Sequence, residues 1–145
     1  MDNITEPEMQ RVTDEADQVS VLVIENEKDI RLLLSDILTS GGHRVASAAD
    51  GIEALQIFKK EYFDVVLTDL GMPAMSGWEV ASTIKKMDPD VIVVIISGWG
   101  SELDDRELEK NGVDMVVSKP FRVGQILNLV QEAREIKNRM QQGRA

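Results

Sequence analysis

Five short strand-like runs recur along the chain at residues 19–24, 43–47, 63–68, 91–96 and 113–117, and each is followed by a segment with helical spacing. No other feature restricts the fold so tightly. Several of the runs are apolar at successive positions rather than at alternate ones, as in strands buried on both faces. Parallel neighbours need long crossover connections, and helices in those crossovers cover the two faces of the sheet. Chirality makes the crossovers right-handed. The pattern therefore predicts an α/β fold: a doubly wound, five-stranded parallel sheet of the flavodoxin-like class with helices on both faces. Pattern alone leaves the strand order open.

Local signals mark the helices. Residues 27–39 place Ile30, Leu33, Leu34, Ile37 and Leu38 at helical spacing and stop at Ser40-Gly41-Gly42. Asp50 is positioned to cap a helix over residues 51–60, with Ala54, Leu55 and Phe58 inward. Ser76 is positioned to cap another that runs to Met87 and stops at Asp88-Pro89. Residues 101–111 predict a short charged helix ended by Gly112, and a last helix starts near Arg122 and reaches Asn138 or beyond. Residues 1–18 hold six acids against one Arg and read as a disordered acidic tail. Residues 19–138 then form the domain, and 139–145 are a frayed end or the start of a linker.

The chemistry lies at the strand ends. In open α/β sheets, ligands bind beyond the carboxyl edge. Asp69 follows the third run and is itself followed by Leu70-Gly71-Met72-Pro73; Glu25-Asn26-Glu27 follows the first run, Ser97 the fourth, and Ser118-Lys119-Pro120 the fifth. Each has a plain role when taken singly: a turn or cap for the Asp and Ser, a surface cation for the Lys. Four such residues at four strand ends point instead to one shared site. Two carboxylates brought together repel unless a cation intervenes. Oxygen donors alone, with no Cys and a single His, suit Mg2+ or Mn2+. The candidate ligands are Glu25, Asn26, Asp69 and the backbone carbonyl of Gly71. Asp69 is the candidate nucleophile, forming an acyl phosphate. The metal and Lys119 would stabilise charge on the moving group, Ser97 would donate a hydrogen bond to a phosphoryl oxygen, and Gly98 leaves room.

Composition excludes several classes. The net charge is −10 with no cluster of Lys and Arg, which argues against direct nucleic-acid binding. The absence of Cys excludes disulfides, thiolate chemistry and Cys-ligated zinc. No apolar run approaches the roughly 20 residues of a membrane span, and the first residues lack the basic and apolar regions of a signal peptide. The expectation is a cytoplasmic protein with no membrane association. His43, the only His, reads as a surface residue at a strand start. Ile126, Leu129, Ala133, Ile136 and Met140 follow a three-four spacing. Packing on the chain's own sheet is the leading reading of that stripe, with a homodimer seam or a connector to a further domain as the alternative.

Taken together, these motifs resemble the receiver domain of bacterial two-component response regulators over residues 19–138. The resemblance is carried by Val21-Leu22-Val23-Ile24-Glu25-Asn26-Glu27, Leu67-Thr68-Asp69-Leu70-Gly71-Met72-Pro73, Met75-Ser76-Gly77, Ile96-Ser97-Gly98 and Ser118-Lys119-Pro120-Phe121. It implies strand order 2-1-3-4-5 and Mg2+-dependent capture by Asp69 of a phosphoryl group from a sensor histidine kinase or a histidine phosphotransfer protein. Glu25 and Asn26 fall on the family's metal-holding acidic pair, Ser97 on its hydroxyl position and Lys119 on its Lys. The fourth helix, fifth strand and fifth helix form the family's usual output face.

Two residues depart from the family pattern. The acidic pair is Glu25-Asn26, so one acid is missing. A unit charge about 4 Å from a cation is worth up to several kcal/mol at an effective dielectric of about 20. Weaker Mg2+ binding is expected, with partial compensation from the longer reach of Glu25 and from nearby Glu27. Val116 stands where the family has a switch aromatic three residues before the Lys, which weakens the expected coupling from Ser97 to the output face. Trp99, two residues past Ser97, is a candidate shield for the phosphoryl group. The leading expectation is a phosphorylation-dependent signalling switch, not a dedicated enzyme, that acts on a downstream protein, relays phosphate, or forms part of a larger regulator or hybrid kinase with an output domain. The alternative is a pseudo-receiver, a phosphate-independent interaction module. An aspartate-nucleophile phosphatase is disfavoured, because Gly71 stands where such enzymes usually carry a second Asp.

Overall fold

The computed structural model describes residues 18–98 and 102–144. The expected acidic tail, apart from Gln18, lies outside the described residues. Five strands and five helices alternate: β1 (Ser20–Ile24), α1 (Lys28–Ser40), β2 (Arg44–Ala48), α2 (Gly51–Lys60), β3 (Val65–Asp69), α3 (Gly77–Met87), β4 (Ile92–Ser97), α4 (Asp105–Lys110), β5 (Met115–Ser118) and α5 (Val123–Arg144). The strands form one sheet in the order β2-β1-β3-β4-β5, with every neighbouring pair parallel. That is the order implied by the resemblance.

The pleat divides the apolar runs between two cores. Val21, Val23, Val65, Leu67, Val94 and Ile96 face one side, where Leu34, Ile37 and Leu38 of α1 and Ile126, Val130 and Ala133 of α5 cover them. Leu22, Ile24, Val66 and Val93 face the other side, against Ala54 and Phe58 of α2 and Val80, Ala81 and Ile84 of α3. Each fully buried aliphatic side chain contributes about 1.5–3 kcal/mol, so both faces of the central strands stabilise the sheet. The helices begin where their caps require. Asp50 Oδ1 accepts from the Glu53 N–H at 2.8 Å. Ser76 and Glu79 form a reciprocal capping box at the head of α3.

Several boundaries differ from the sequence expectation. Asp104 caps α4 by accepting from the Arg106 N–H, so this helix starts at Asp105 rather than near residue 101. β5 starts at Met115, because the Val113 N–H closes the turn on Leu108 O and the Asp114 carboxylate accepts from the Val93 N–H. His43 is buried, not a surface residue, with Nδ1 accepting from the Val19 N–H at 3.0 Å. Val19 precedes the first ladder residue, and the imidazole satisfies a backbone donor that the sheet leaves unpaired.

Residues 139–144, expected as a frayed end or the start of a linker, continue α5. Ile126, Leu129 and Ala133 lie in the domain's own core, with Ile136 and Met140 packed against it. That stripe therefore packs on the chain's own core, which is the leading reading of its spacing. Lys137, only 2% exposed, anchors the helix at the opposite edge of the sheet from the strand ends. Its ammonium lies 4.2 Å from the centre of the Tyr62 ring, donates to the Tyr62 hydroxyl, and approaches Asp64 Oδ1 at 3.3 Å and Phe63 O at 3.4 Å. Arg134 adds a hydrogen bond to Gln18 O at 2.6 Å. Among the described residues, no helix is long and apolar enough to cross a membrane.

Candidate functional site

Parallel register lines up the carboxyl ends of four strands. Thr68 pairs with Ile24, Asp69 with Ile96, and Ser97 with Ser118. Lys119 leaves β5 beside Ser97, to whose carbonyl its N–H donates at 2.9 Å. Its side chain crosses the edge of the sheet, and Nζ lies 3.4 Å from Glu25 Oε1 and 3.4 Å from Asp69 Oδ1. Residues far apart in sequence thus meet around one ammonium.

Glu25 is 1% exposed. Its loop holds it on three sides. The Glu25 N–H donates to Ala48 O at 3.1 Å, the Glu27 N–H donates to Glu25 Oε2 at 3.0 Å, and Arg31 Nη1 donates to Glu25 O at 2.7 Å. Asp69 is half-buried, and the Leu70 N–H donates to its Oδ1 at 2.9 Å. Just beyond, Gly77 brings the start of α3 onto this backbone. Its N–H donates to Leu70 O at 2.8 Å, and a Cβ there would lie 2.5 Å from Asp69 O and 2.8 Å from Leu70 Cα. Only glycine allows that approach. By contrast, among the described residues a Cβ on Gly71 or Gly98 would meet nothing within 4 Å, and both glycines are exposed.

Burial pushes the Glu25 carboxyl above its ordinary range. The hydrogen bond from Glu27 opposes the rise, the Asp69 charge adds to it, and Lys119 opposes it. Burial works against the Lys119 ammonium too, but Glu25 and Asp69 outweigh it and hold its pKa above the usual lysine value. The centre thus sets two carboxylates, one of them reluctant to ionise, against a single cation. Among the described residues, no group of three or more His, Cys, Asp and Glu side chains is arranged to hold a metal. The donor set is the two carboxylates of Glu25 and Asp69, with neutral oxygens available from exposed Asn26 and exposed Gly71, which neighbour them in sequence. Mg2+ keeps several waters and is commonly held by one or two carboxylates, so this all-oxygen set fits it. An entering cation would also relieve the repulsion that Asp69 exerts on Glu25.

Of the residues predicted from sequence, Glu25, Asp69 and Lys119 are in direct contact. Ser97 is buried on the adjoining strand end, tied to Lys119 through the backbone. Asn26, next to Glu25, and Gly71, two residues past Asp69, are exposed and make no contact with the Lys119 centre that the structure shows among the described residues. Trp99 lies outside the described residues. Trp78 is half-buried on α3, and Val116 is half-buried on β5. Val116 lines a groove of about 870 Å3 between β5 and α5, together with Met115, Val117, Gln125, Leu129 and Glu132. Sequence reasoning missed Arg31 and Thr68. Arg31 left no local signal, because its acceptor is a backbone carbonyl. Thr68 did leave one: a hydroxyl ending an otherwise apolar run.

Residues 21–131 match the family model of the response regulator receiver domain. The chain is 32% identical over 119 residues to sporulation initiation phosphotransferase F of Bacillus subtilis, covering 81% of this chain and 95% of that protein. It is 30% identical over 132 residues to the sensor kinase CckA of Brucella abortus, covering 90% of this chain but only 14% of that protein. Among solved structures, the response regulator protein TrrA from Thermotoga maritima in complex with Mg2+-BeF superposes with a TM-score of 0.73 at 29% identity, covering 80% of this chain and 99% of that one. The chain thus spans nearly the whole of some relatives and a small part of others. It belongs to the receiver domains of bacterial two-component response regulators.

Proposed function

We propose that this receiver is a signalling switch that takes a phosphoryl group onto Asp69 from a phosphohistidine of a sensor histidine kinase or a histidine phosphotransfer protein. The observation that carries the reading is Lys119 Nζ, 3.4 Å from both Asp69 and Glu25 at the carboxyl edge of the sheet. An Asp69 oxygen attacks phosphorus, the P–N bond breaks, and its electron pair returns to the imidazole of the donor. Lys119 offsets negative charge on the phosphoryl oxygens, and the Ser97 hydroxyl donates to one of them. Glu25, Asn26, Asp69 and the Gly71 carbonyl are the residues that would hold Mg2+ or Mn2+, which when bound supplies further charge neutralisation. The Mg2+ held by TrrA supports this assignment. With Asn in place of a second acid, Mg2+ binds more weakly here than at a two-acid site.

The protein is not a dedicated enzyme. It catalyses its own phosphorylation and dephosphorylation and acts from the cytoplasm on a downstream protein or an attached output domain, without touching nucleic acid or membrane directly. A second reading, a phosphate-independent pseudo-receiver, is favoured by one feature: Lys119 already pairs with both acids, and Asn26 adds no charge to draw in a metal. Intact-mass measurement after incubation with acetyl phosphate, with and without Mg2+, separates the two. A Mg2+-dependent gain of one phosphoryl group, absent in Asp69→Ala, supports the switch. No gain from folded protein at saturating Mg2+ supports the pseudo-receiver.

A further inference from the structure

The residue before Asp69 carries a hydroxyl where its neighbours on β3 carry none. Thr68 follows Val65, Val66 and Leu67, and its side chain is 0% exposed. By the pleat it lies on the α2 and α3 side, with Val66, opposite to Asp69. Valine would fill the same volume without burying a polar group, so the hydroxyl needs a reason. Its hydrogen bond runs to Asp69 O at 2.9 Å. That carbonyl belongs to the peptide unit whose N–H, on Leu70, donates to Asp69 Oδ1 at 2.9 Å. A peptide unit is planar and nearly rigid. One end of this plane is therefore held by Thr68, and the other end holds the carboxylate. The next carbonyl, Leu70 O, is held by the Gly77 N–H at 2.8 Å.

We propose that Thr68 is a positioning residue for Asp69. Its hydroxyl sets the rotation of the 69–70 peptide and, through the Leu70 N–H, decides which carboxylate oxygen is engaged. Oδ1 receives both Leu70 N–H and Lys119 Nζ. Oδ2 is thereby the oxygen left to attack phosphorus. This assignment rests on the reading of Asp69 as phosphoacceptor, but the positioning itself has a signature independent of phosphoryl transfer.

The test compares the unmodified protein with Thr68→Val, which keeps the shape and removes the donor, and Thr68→Ser, which keeps the donor. Melting curves establish that each is folded; Thr68→Ala replaces Thr68→Val if valine is not accommodated. The first readout is hydrogen exchange of the Leu70 amide at fixed pH. In the unmodified protein and in Thr68→Ser the amide stays protected by its bond to Asp69 Oδ1, and in Thr68→Val its protection falls by roughly fivefold or more as that hydrogen bond loosens. The second readout is the rate of phosphorylation by acetyl phosphate with Mg2+. Thr68→Val slows it by roughly five- to tenfold, the rate equivalent of one neutral hydrogen bond, and Thr68→Ser stays within about twofold. A folded Thr68→Val protein with an unaltered rate overturns the proposal. If the unmodified protein takes no phosphoryl group, the phosphoacceptor reading fails, and exchange of the Leu70 amide alone decides whether Thr68 positions the carboxylate.

Discussion

Replacing Gly77 with alanine tests how closely α3 must approach the phosphoacceptor strand. The new Cβ would lie 2.5 Å from Asp69 O, 2.8 Å from Leu70 Cα and 3.2 Å from Asp69 C. All three neighbours are backbone atoms, so no side-chain rotation relieves the overlap. Either the head of α3 or the Asp69–Leu70 peptide must move by the better part of an ångström. Overpacking of this kind costs about 1–3 kcal/mol. Gly77 is the first residue of α3, where alanine's better helix propensity returns well under about 1 kcal/mol, so the clash wins and the net loss is about 1–2 kcal/mol. For a chain of this size that lowers Tm by roughly 3–6 °C. The functional loss is larger, because a displacement near 1 Å at a reacting group costs up to about 100-fold in rate. Calorimetry and the rate of acetyl phosphate labelling measure the two effects. Gly124→Ala is the control, since it lies on α5 away from the site and its Cβ meets nothing within 4 Å. A Gly77→Ala protein that melts and reacts like the unmodified protein would refute the reasoning, and so would equal losses from Gly124→Ala.

Other perturbations have definite expected outcomes. Lys137→Met leaves Asp64 buried without its cation; Asp64 keeps the Ser20 N–H and the Tyr62 hydroxyl, so urea unfolding should show a loss near the low end of the range for a broken buried pair, about 3 kcal/mol. Because the Glu25 pKa is raised, its ionisation disfavours the folded state. Metal-free stability from this group is therefore greatest at or below pH 4.5 and falls as pH rises through the folded-state pKa, so Glu25→Gln should raise the metal-free Tm at pH 7 and lose that advantage below pH 4.5. The opposite sign at neutral pH would show that Lys119 outweighs burial at this carboxylate. Asn26→Asp adds a unit charge next to Glu25 and should tighten Mg2+ binding by about tenfold in calorimetric titration, with exposure keeping the gain far below the buried-pair limit. Mg2+ at ten times its Kd should stabilise the protein by about 1.4 kcal/mol in a thermal shift.

Much of this fold is legible in the sequence because local preference and burial agree. The runs at 19–24, 63–68 and 91–96 are apolar on both faces, and only a sheet covered on both sides accommodates that. Asp50 and Ser76 announce their helices because a cap is a contact between residues close in sequence. The strand-end residues Glu25, Asp69, Ser97 and Lys119 are legible for a different reason, since parallel strands must carry their carboxyl ends to one edge. What was misread depends on partners distant in sequence. His43 reads as surface because nothing near it reveals that the Val19 N–H needs an acceptor. The stripe on α5 reads first as core and is core, although its spacing alone would be the same against a partner helix. The Lys137 anchor joins residues more than seventy positions apart, and no periodicity reports a single buried lysine. At the site itself, the short i to i+1 contact from Thr68 was visible in principle as a hydroxyl in an apolar strand. The tight packing of Gly77 on Asp69 follows only from how α3 docks.

The central claim is that Asp69 accepts the phosphoryl group. The most direct measurement is borohydride reduction of the protein after incubation with acetyl phosphate and Mg2+, followed by peptide sequencing in the mass spectrometer. An aspartyl phosphate is trapped by this treatment as homoserine. Conversion at position 69, dependent on Mg2+ and abolished by prior chelation, is the expected result. No homoserine anywhere in folded protein, or conversion at another acid with Asp69 intact, would contradict it.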